Sequence, residues 1–270
     1  MSGDDFLKIA GRRFVVMGVA NRKSVAWSIA KMIEDAGGEV VYTVRSESRR
    51  ESTAKLLDGR RVIVCDVESD DAVNGLAETL RSDGVPVAGL VHSIAAADYP
   101  DGIRPYHETT REQFLRAVDI SAFSLTRVCD ALKDNFDADA SVVTIGISTT
   151  RMASESYGFM APIKAALESS LAFLTKSFSK FSRVRFNAVS AGLLKTSASA
   201  GIPGYVDSYL YAEKVIPRGE ALRTEEVAAT AVFLLSPRSS GITAQSIVVD
   251  AGMSINYFDS DLVRTVVSHS

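Results

Sequence analysis

Tyr157 and Lys164 are the two residues of this sequence whose types and spacing best suit proton transfer. They lie seven positions apart, so we expect both side chains on one face of one helix, two turns from each other. A tyrosine hydroxyl is a weak acid, with a pKa of about 10 in model peptides. A nearby ammonium stabilises the phenolate and makes the hydroxyl a better proton donor. A tyrosine and a lysine at this spacing also occur by chance, so the pair alone does not decide the function.

A glycine turn after the first apolar run suits a dinucleotide. Gly18 permits a tight turn, and the small residues Ala20 and Ser24 let the backbone approach a pyrophosphate. Ser24 and Val25 lie at the start of a helical pattern, where free N–H groups attract phosphate. The usual G-x-G-x-x-G spacing is absent, so the alternative is a turn that only joins strand to helix.

Basic residues follow the second apolar run, where an acidic side chain would favour NADH. Arg45 ends this run, and Arg49 and Arg50 come one turn later. A planar guanidinium suits a 2′-phosphate, so the sequence favours NADPH, with NADH possible. The alternative is a solvated basic helix start.

The ends of the third and fourth runs add further candidates. Asp66, beside Val67, could bond the adenine amino group or cap the next helix. After the fourth run, a flat ligand could lie against the backbone of small and apolar residues, which are Ser93, Ile94 and Ala95. His92, just before them, is interpreted as a packed strand-end histidine. No His, Cys, Asp or Glu grouping has metal-ligand spacing, so we expect no metal.

Short apolar runs alternate with helical patterns along the whole chain, and these elements must position the candidates. The predicted strands, each rich in valine and isoleucine, are 14–17, 40–43, 62–65, 88–91, 142–145, 186–189 and 246–249. The predicted helices are 25–36, 51–57, 70–81, 111–132, 162–181 and 225–235. This alternation predicts an α/β fold: a single Rossmann-type domain over 1–270, with a doubly wound parallel sheet of about seven strands. Ligands bind beyond the carboxyl ends of such strands.

The composition of the 270 residues is ordinary for a globular protein, with 46% apolar and 23% charged residues. A net charge of −3 disfavours nucleic acid as a partner. Cys65 and Cys129 are interpreted as reduced core residues of a cytoplasmic protein. The first residues lack the pattern of a signal peptide, and no apolar run reaches the roughly 18 residues of a membrane span.

Seven motifs in order along the chain give a more specific indication. They are Gly18-x5-Ser24-x-Ala26-x3-Ala30, Asp66-Val67, His92-Ser93-Ile94, Asp119-Ile120-Ser121, Tyr157-x2-Met160-x3-Lys164-Ala-x-Leu167, Arg185-x-Asn187-Ala-x-Ser190-Ala-Gly192-x2-Lys195-Thr196 and Asp250-x-Gly252-x-Ser254-Ile255. Together they resemble the enoyl-acyl carrier protein reductases of bacterial fatty acid synthesis, a divergent branch of the short-chain dehydrogenases. The resemblance runs from about Gly11 to Ile255. The Tyr-x6-Lys spacing is typical of this branch, whereas ordinary short-chain dehydrogenases use Tyr-x3-Lys and this chain has Ala161 there.

The resemblance implies that hydride passes from NAD(P)H to the β-carbon of a trans-2-enoyl thioester carried by acyl carrier protein or CoA. Tyr157 would stabilise the enolate oxygen, and Lys164 would bind the nicotinamide ribose. Leu194 and Thr196 would meet the carboxamide and phosphate. The complete implied cofactor site is Gly18, Ala20, Ser24, Val25, Arg45, Asp66, Val67, Ser93, Ile94, Ala95, Ile145, Lys164, Gly192, Leu194 and Thr196. The implied substrate site is Ala97, Tyr157, Met160, Ile202 and Tyr205.

The same resemblance implies three larger features. Residues from about 195 to 215 would form a mobile lid over the acyl chain, with a plain surface helix as the alternative. Residues from about 256 to 270 would be a C-terminal tail. The protein would be a homotetramer, for which the apolar-faced helices 111–132 and 162–181 are interface candidates.

Four positions depart from the family pattern. Ile147 replaces a second tyrosine, Ala95 replaces a glycine, and Leu193 replaces a proline. Residues 203–207, Pro-Gly-Tyr-Val-Asp, lack the basic side chains that would meet an acidic carrier, although Lys214 and Arg218 could substitute.

Two other functions remain open from sequence. One is a short-chain reductase for a carbonyl or a non-carrier enoyl substrate. Such carbonyl reductases use a Ser or Thr near 144–148 and an asparagine where this chain has Ser121, which argues against that group. The other is a non-catalytic NAD(P)-binding paralogue, for which the departures at Ala95 and Ile147 are the support.

Overall fold

The computed structural model describes residues 5–96, 99, 102, 104–148, 150–151, 153, 158–196 and 205–268. Seven parallel strands form one sheet with the order β3-β2-β1-β4-β5-β6-β7. The strands are β1 (Arg13–Met17), β2 (Glu39–Val44), β3 (Arg61–Val64), β4 (Val87–His92), β5 (Phe136–Ile147), β6 (Arg185–Ala191) and β7 (Ser246–Val249). The chain order reverses direction between β1 and β4, which is the position where doubly wound sheets bind ligands. The predicted α/β Rossmann-type sheet is confirmed.

Nine α-helices are present in the described ranges. They are α1 (Val25–Asp35), α2 (Glu47–Thr53), α3 (Asp70–Ser82), α4 (Arg111–Val118), α5 (Ser124–Ala131), α6 (Met160–Phe178), α7 (Tyr205–Val215), α8 (Thr224–Leu235) and α9 (Ser260–Ser268). Short 3-10 turns occur at Tyr106–Glu108, Pro237–Ser239 and Met253–Ile255. Within the described ranges, a helix with the length and apolar character of a membrane span does not occur.

The first strand shows how the core divides into two layers. Its side chains alternate, with Val15 and Met17 on the face covered by α3, α5 and α6. Phe14 and Val16 point to the opposite face, against α1 and α8. These four side chains are fully buried, which explains why the strand is a continuous apolar run rather than an alternating one.

Two predicted helices differ from the observed ones. The helix predicted at 51–57 begins at Glu47, because Ser46 caps it by accepting a hydrogen bond from the Arg49 N–H (3.3 Å). The single helix predicted at 111–132 is divided into α4 and α5 by a π-helical segment, Asp119–Phe123. We call this segment the π turn.

Two further helices lie outside the six predicted helical ranges. The segment predicted as a lid, with a surface helix as the alternative, contains α7, which buries Tyr205, Ala212 and Val215. The predicted C-terminal tail contains α9. No residue of this helix is buried.

Candidate functional site

A cleft of about 560 Å³ opens at the carboxyl ends of the strands. Every residue that the sequence analysis assigned to the cofactor, from Gly18 to Thr196, lines this cleft. Two of the predicted substrate residues, Met160 and Tyr205, line it as well. Ala97, Tyr157 and Ile202 lie outside the described residues. The fold therefore brings into one cleft residues that are far apart in the sequence.

Gly18 lies at the closest approach of two strand ends. Its φ is +99°, and a Cβ built on it would lie 2.0 Å from the carbonyl oxygen of Ser93. The Ser93 N–H donates to the carbonyl of Met17 at 3.2 Å, which ties the end of β4 to the end of β1. A side chain at position 18 is excluded by both conformation and space.

The first turn of α1 faces the cleft through Ser24 and Val25. Ser24 is the N-cap residue, but its hydroxyl donates to the carbonyl of Asn21 at 2.6 Å and accepts no hydrogen bond from the helix. The first turn also contains no acidic residue. The helix start thus keeps N–H groups and partial positive charge that suit an anion.

Charged side chains lie at the end of the cleft where β2 and β3 finish. Arg45 and Arg49 are exposed and line it. Glu68 also lines it, and Arg116 holds its carboxylate through two hydrogen bonds of 3.0 and 3.3 Å. The Arg116 guanidinium holds the pKa of Glu68 below its usual range. Sequence reasoning missed Glu68, because its partner Arg116 is far away in the chain.

Asp66 lines this part of the cleft, but it does not cap the following helix. Its carboxylate accepts a hydrogen bond from the Glu68 N–H at 3.1 Å. Ser69 is the N-cap residue of α3 and accepts from the Ala72 N–H at 3.3 Å. The capping interpretation of Asp66 was wrong, since Ser69 stands at the position from which a side chain can reach the helix. Val67 also faces the cleft.

Lys164 stands at the centre of the cleft wall, on the first turns of α6. Only 4% of the residue is exposed. Its ammonium donates to the carbonyl of Ile145 at 2.8 Å and to the carbonyl of Ile94 at 3.3 Å, at the ends of β5 and β4. Burial lowers the pKa of Lys164 to about 8, and the charge of Glu168 acts in the opposite direction. These two bonds use two of the three N–H donors of the ammonium.

Tyr157 precedes α6, and the structure does not describe it. The expectation that one helix carries Tyr157 and Lys164 on a common face falls on a residue outside the described ranges. Of the described residues, α6 begins at Met160, and Gly158 has a φ of +56°, a left-handed conformation.

His92 is a packed histidine, as predicted from its place at the end of a strand. It is fully buried, with Nδ1 3.1 Å from the Thr144 hydroxyl and Nε2 2.8 Å from the Ser124 hydroxyl. Burial lowers its pKa to about 3, and the charge of Lys164 acts in the same direction. A ring held neutral and bonded at both nitrogens does not act as a base in the cleft.

The π turn carries the side chain that holds the loop after β4. Ser121 is fully buried, and its hydroxyl accepts from the Ala96 N–H at 2.9 Å and donates to the Ala96 carbonyl at 3.1 Å. This loop presents Ser93, Ile94 and Ala95 to the cleft. The sequence motif singled out Ser121, but the motif gave no indication of this contact.

The loop after β6 meets α7 at Tyr205, which is 9% exposed. The hydroxyl of Tyr205 bonds to both backbone polar groups of Leu194. Thr196 follows, and its N–H donates to the Leu194 carbonyl at 3.1 Å. The structure thus joins two residues predicted to have separate roles, one toward the cofactor and one toward the substrate.

The positions that depart from the family pattern also lie at or beside this cleft. Ala95 is not among the described non-glycine residues with positive φ, so its methyl group introduces no backbone strain. Ile147 lines the cleft with an apolar side chain. Gly192 lies against Asp250, where an added Cβ would be 2.8 Å from the Asp250 Cβ. Leu193, at the proline position, is partly buried.

Tyr99 is a cleft residue that the sequence analysis did not identify. Its ring packs on Phe159 with centroids 5.1 Å apart, and burial raises the pKa of its hydroxyl. Gly158 leaves room for the same hydroxyl, since an added Cβ would be 2.7 Å from it. No periodicity or motif in the sequence indicates this packing.

Both cysteines are buried thiols. Burial raises the pKa of the Cys65 thiol to about 11, and Cys129 is fully buried. In the described part of the chain, no three His, Cys, Asp or Glu side chains are arranged to hold a metal ion.

A family model for enoyl-(acyl carrier protein) reductase matches residues 18–254. The chain belongs to the enoyl-acyl carrier protein reductase family. A FabI named as NADH-dependent from Enterococcus faecalis is 34% identical, covering 91% of this chain and 98% of that protein. A FabI named as NADPH-dependent from Staphylococcus aureus is also 34% identical, over 91% and 98% of the two chains.

Solved structures of enoyl reductases have the same fold. The Bacillus cereus enoyl-acyl carrier protein reductase, solved with NADP+ and indole naphthyridinone, superposes with a TM-score of 0.87 at 32% identity. It is matched over 92% of this chain and 98% of that one. FabI from Candidatus Liberibacter asiaticus gives a TM-score of 0.88 at 30% identity, over 93% and 98%. All of the residues that line the cleft lie within the range 18–254 that the family model matches.

Proposed function

We propose that this chain reduces the 2,3 double bond of a trans-2-enoyl thioester with a nicotinamide cofactor. The observation that carries the proposal is Lys164, a buried ammonium whose two carbonyl bonds fix it between the ends of β4 and β5. Its proposed partner is Tyr157, seven residues earlier, as the resemblance of the sequence motif implies.

The residues around the cleft fit a dinucleotide. Gly18 allows close backbone approach, the uncapped start of α1 suits the pyrophosphate, and Lys164 has a donor left for a ribose hydroxyl. Leu194 and Thr196 would hold the carboxamide and the adjoining phosphate. Ser93, Ile94, Ala95 and Ile145 form the apolar and backbone surface between these groups.

In this proposal the protein stabilises charge on the substrate. When bound, the reduced nicotinamide supplies the hydride for the β-carbon, and negative charge then gathers on the thioester oxygen. Tyr157 donates a hydrogen bond to that oxygen, which matters most in the transition state. Lys164 holds the ribose and keeps the local potential positive, which favours the phenolate character of Tyr157.

We further propose that NADPH is preferred over NADH. Arg45 and Arg49 are exposed at the end of the cleft where β2 finishes, the strand end that meets the adenosine ribose in this fold. Arg116 holds the Glu68 carboxylate through two hydrogen bonds, and the charge of Arg45 also lowers the pKa of this carboxylate. The names of the relatives include both cofactors, so the arginines are the basis of this preference.

The acyl chain would lie against Met160, Tyr205, Ala97 and Ile202, under a lid at about 195–215. The carrier is acyl carrier protein or CoA. Arg218, one candidate for meeting an acidic carrier, is committed to Glu226 through bonds of 2.5 and 2.7 Å. Lys214 remains exposed beside it.

We propose a cytoplasmic homotetramer. Support comes from large apolar side chains exposed on the predicted interface helices, since Leu115, Phe123 and Phe173 are 58%, 52% and 75% exposed. Light scattering on the purified protein tests this, because a tetramer has about four times the 29.0 kDa chain mass.

The carbonyl-reductase alternative has weaker support in this cleft. Thr144, a hydroxyl candidate for such chemistry, is fully buried and donates to the His92 carbonyl at 3.0 Å. The strand end that does face the cleft carries Ile145, Gly146 and Ile147.

The decisive experiment follows NADPH consumption with three substrates: crotonyl-CoA, an enoyl thioester of acyl carrier protein, and a simple ketone. We expect turnover with the thioesters and none with the ketone. The Tyr157→Phe variant should lose most of this turnover, whereas Tyr257→Phe, at a residue 89% exposed, should retain it. Tight NADPH binding without consumption in any reaction would refute an enzymatic role.

A further inference from the structure

Glu168 lies one helical turn after Lys164 on α6, so the two side chains are neighbours on the same helix face. The Ser190 hydroxyl donates a hydrogen bond to its carboxylate at 2.6 Å. Ser190 lies on β6 and also contacts the Ser246 hydroxyl of β7. The carboxylate is therefore fixed against the sheet instead of extending into solvent.

The strand beneath this carboxylate is shaped to admit it. A Cβ on Gly146 would lie 2.6 Å from a carboxylate oxygen of Glu168 and 2.7 Å from the Ser190 hydroxyl. Gly146 directly follows Ile145, whose carbonyl accepts the shorter of the two bonds from Lys164. The missing side chain at Gly146 thus brings an anion to the same strand end that holds the ammonium.

We propose that Glu168 is a positioning residue that keeps Lys164 protonated and directed at the carbonyls of Ile94 and Ile145. The inference rests on the proposed function, in which Lys164 also binds the cofactor ribose. A protonated lysine has three N–H donors, enough for two carbonyls and one ribose hydroxyl. A neutral amine has two, so after deprotonation it no longer donates to all three oxygens, and the charge that strengthens these bonds is lost.

The other titratable groups around Lys164 do not supply this charge. His92, on β4, is neutral, as described above. Asp250, after β7, accepts hydrogen bonds from the Gly252 and Ser254 N–H groups of its own turn. Burial raises the pKa of the Tyr99 hydroxyl, so this cleft tyrosine is uncharged at neutral pH.

The charged groups at the other end of the cleft are farther away. Arg45 follows β2, and Asp66 and Glu68 follow β3, whereas Lys164 bonds to the ends of β4 and β5. At about 4.8 Å per strand, the end of β2 is about 10–14 Å from these two strand ends and the end of β3 about 14–19 Å, compared with a Debye length of roughly 10 Å. Among the described residues, Glu168 is the anion that acts on Lys164.

The test is the pH dependence of NADPH binding, measured by fluorescence titration with no substrate present. In the wild type, affinity should fall as the pH rises through the pKa of Lys164, at about 8. Glu168→Gln keeps the shape and the acceptor for Ser190 but removes the charge. Its midpoint should move to lower pH by about one unit, so its affinity should approach a roughly tenfold loss relative to the wild type above the wild-type midpoint.

Two further variants separate charge from structure. Ser190→Ala removes the hydrogen bond but keeps the carboxylate, so its midpoint should move less than that of Glu168→Gln. Glu168→Asp restores the charge and should recover most of the wild-type midpoint. A Glu168→Gln midpoint equal to that of the wild type overturns the inference, as does an equal shift in Ser190→Ala.

The readout is independent of the proposed reaction. If the wild type binds NADPH but does not consume it with any enoyl thioester, the proposed function fails while the binding midpoints still decide the role of Glu168. If turnover is present and the midpoints coincide, the function stands and the role of Glu168 does not.

Discussion

The hydroxyl of Tyr205 donates a hydrogen bond to the carbonyl of Leu194 at 2.8 Å and accepts one from the N–H of the same residue at 2.9 Å. One phenol thereby satisfies a donor and an acceptor that both face the cleft. A primary carboxamide offers the same complementary pair of groups. If Leu194 holds the nicotinamide carboxamide, Tyr205 occupies its partners until the cofactor arrives.

Tyr205→Phe should therefore bind the cofactor more tightly than the wild type does. Two bonds are removed, each worth about 0.5–1.5 kcal/mol net, so the gain is roughly five- to 150-fold in Kd. Fluorescence titration with NADPH measures it. Tyr211→Phe, at a residue 56% exposed on the same helix, is the matched control and should leave Kd unchanged. Unchanged or weaker binding in Tyr205→Phe would show that the two groups do not compete.

Gly18→Ala should abolish cofactor binding and lower the free energy of unfolding by more than about 3 kcal/mol, because the new methyl group overlaps the Ser93 carbonyl. Gly59→Ala is the control, because it introduces the backbone strain of a positive φ without steric overlap. Gly59 also has positive φ, at +70°, but an added Cβ there meets nothing within 4 Å. That variant should lose about 1–2 kcal/mol and bind the cofactor normally. Chemical denaturation and NADPH titration measure both effects, and equal losses in the two variants would contradict the steric argument.

Arg45→Ala should reduce kcat/KM for NADPH by about tenfold while leaving that for NADH within about twofold, because a guanidinium–phosphate bond is lost only with NADPH. Arg50→Ala is the control, since Arg50 is exposed, pairs with Glu47 at 3.7 Å and lies outside the cleft lining. A parallel loss with both cofactors would mean that Arg45 does not contact the 2′-phosphate.

Glu226 links the pH to the stability of α8. Arg218 and the Arg223 N–H lower its pKa to about 2. Because the pKa of Glu226 in the fold is below its ordinary value of 4.5, the carboxylate stabilises the fold at pH values above 4.5. This stabilisation is lost as the pH falls toward 2. Glu226→Gln should therefore lose about 1 kcal/mol at neutral pH and match the wild type near pH 2. Denaturant unfolding across this range measures the difference. Glu225→Gln, an exposed neighbour in the same helical turn, should show a much smaller change.

The sequence predicted the sheet well because burial on both faces leaves a direct pattern. The run at 246–249 coincides with β7, and each other predicted strand lies within an observed one or ends one residue past it. The helix ends were less predictable, because they depend on a single cap. Ser46 caps α2, so the helix begins at Glu47, four residues before the predicted start. The apolar periodicity around 51–57 does not indicate this cap.

The site was predictable where the strand ends alone decide it. Gly18, Asp66 and Ser93 meet in the cleft because parallel strands finish at one edge. The contacts between side chains and distant backbone were not predictable. Tyr205 on Leu194 and Ser121 on Ala96 depend on how a helix lies against a loop, and no local pattern encodes that arrangement.

The π turn at Asp119–Phe123 also sets the rotation of α5 about its own axis. A π-helical turn contains one more residue than an α-helical turn, so α5 is rotated about its axis relative to an uninterrupted continuation of α4. With this rotation Ser124 meets the Nε2 of His92, at 2.8 Å, while Ser121 holds the loop at Ala96. Deleting one residue of the turn would restore the α-helix and leave the later side chains of α5 in their present orientation, because the π turn accommodates one extra residue. Straightening the turn at unchanged length would instead swing each of these side chains by about 100°. The packed face of α5 therefore depends on the extra residue being held within the turn.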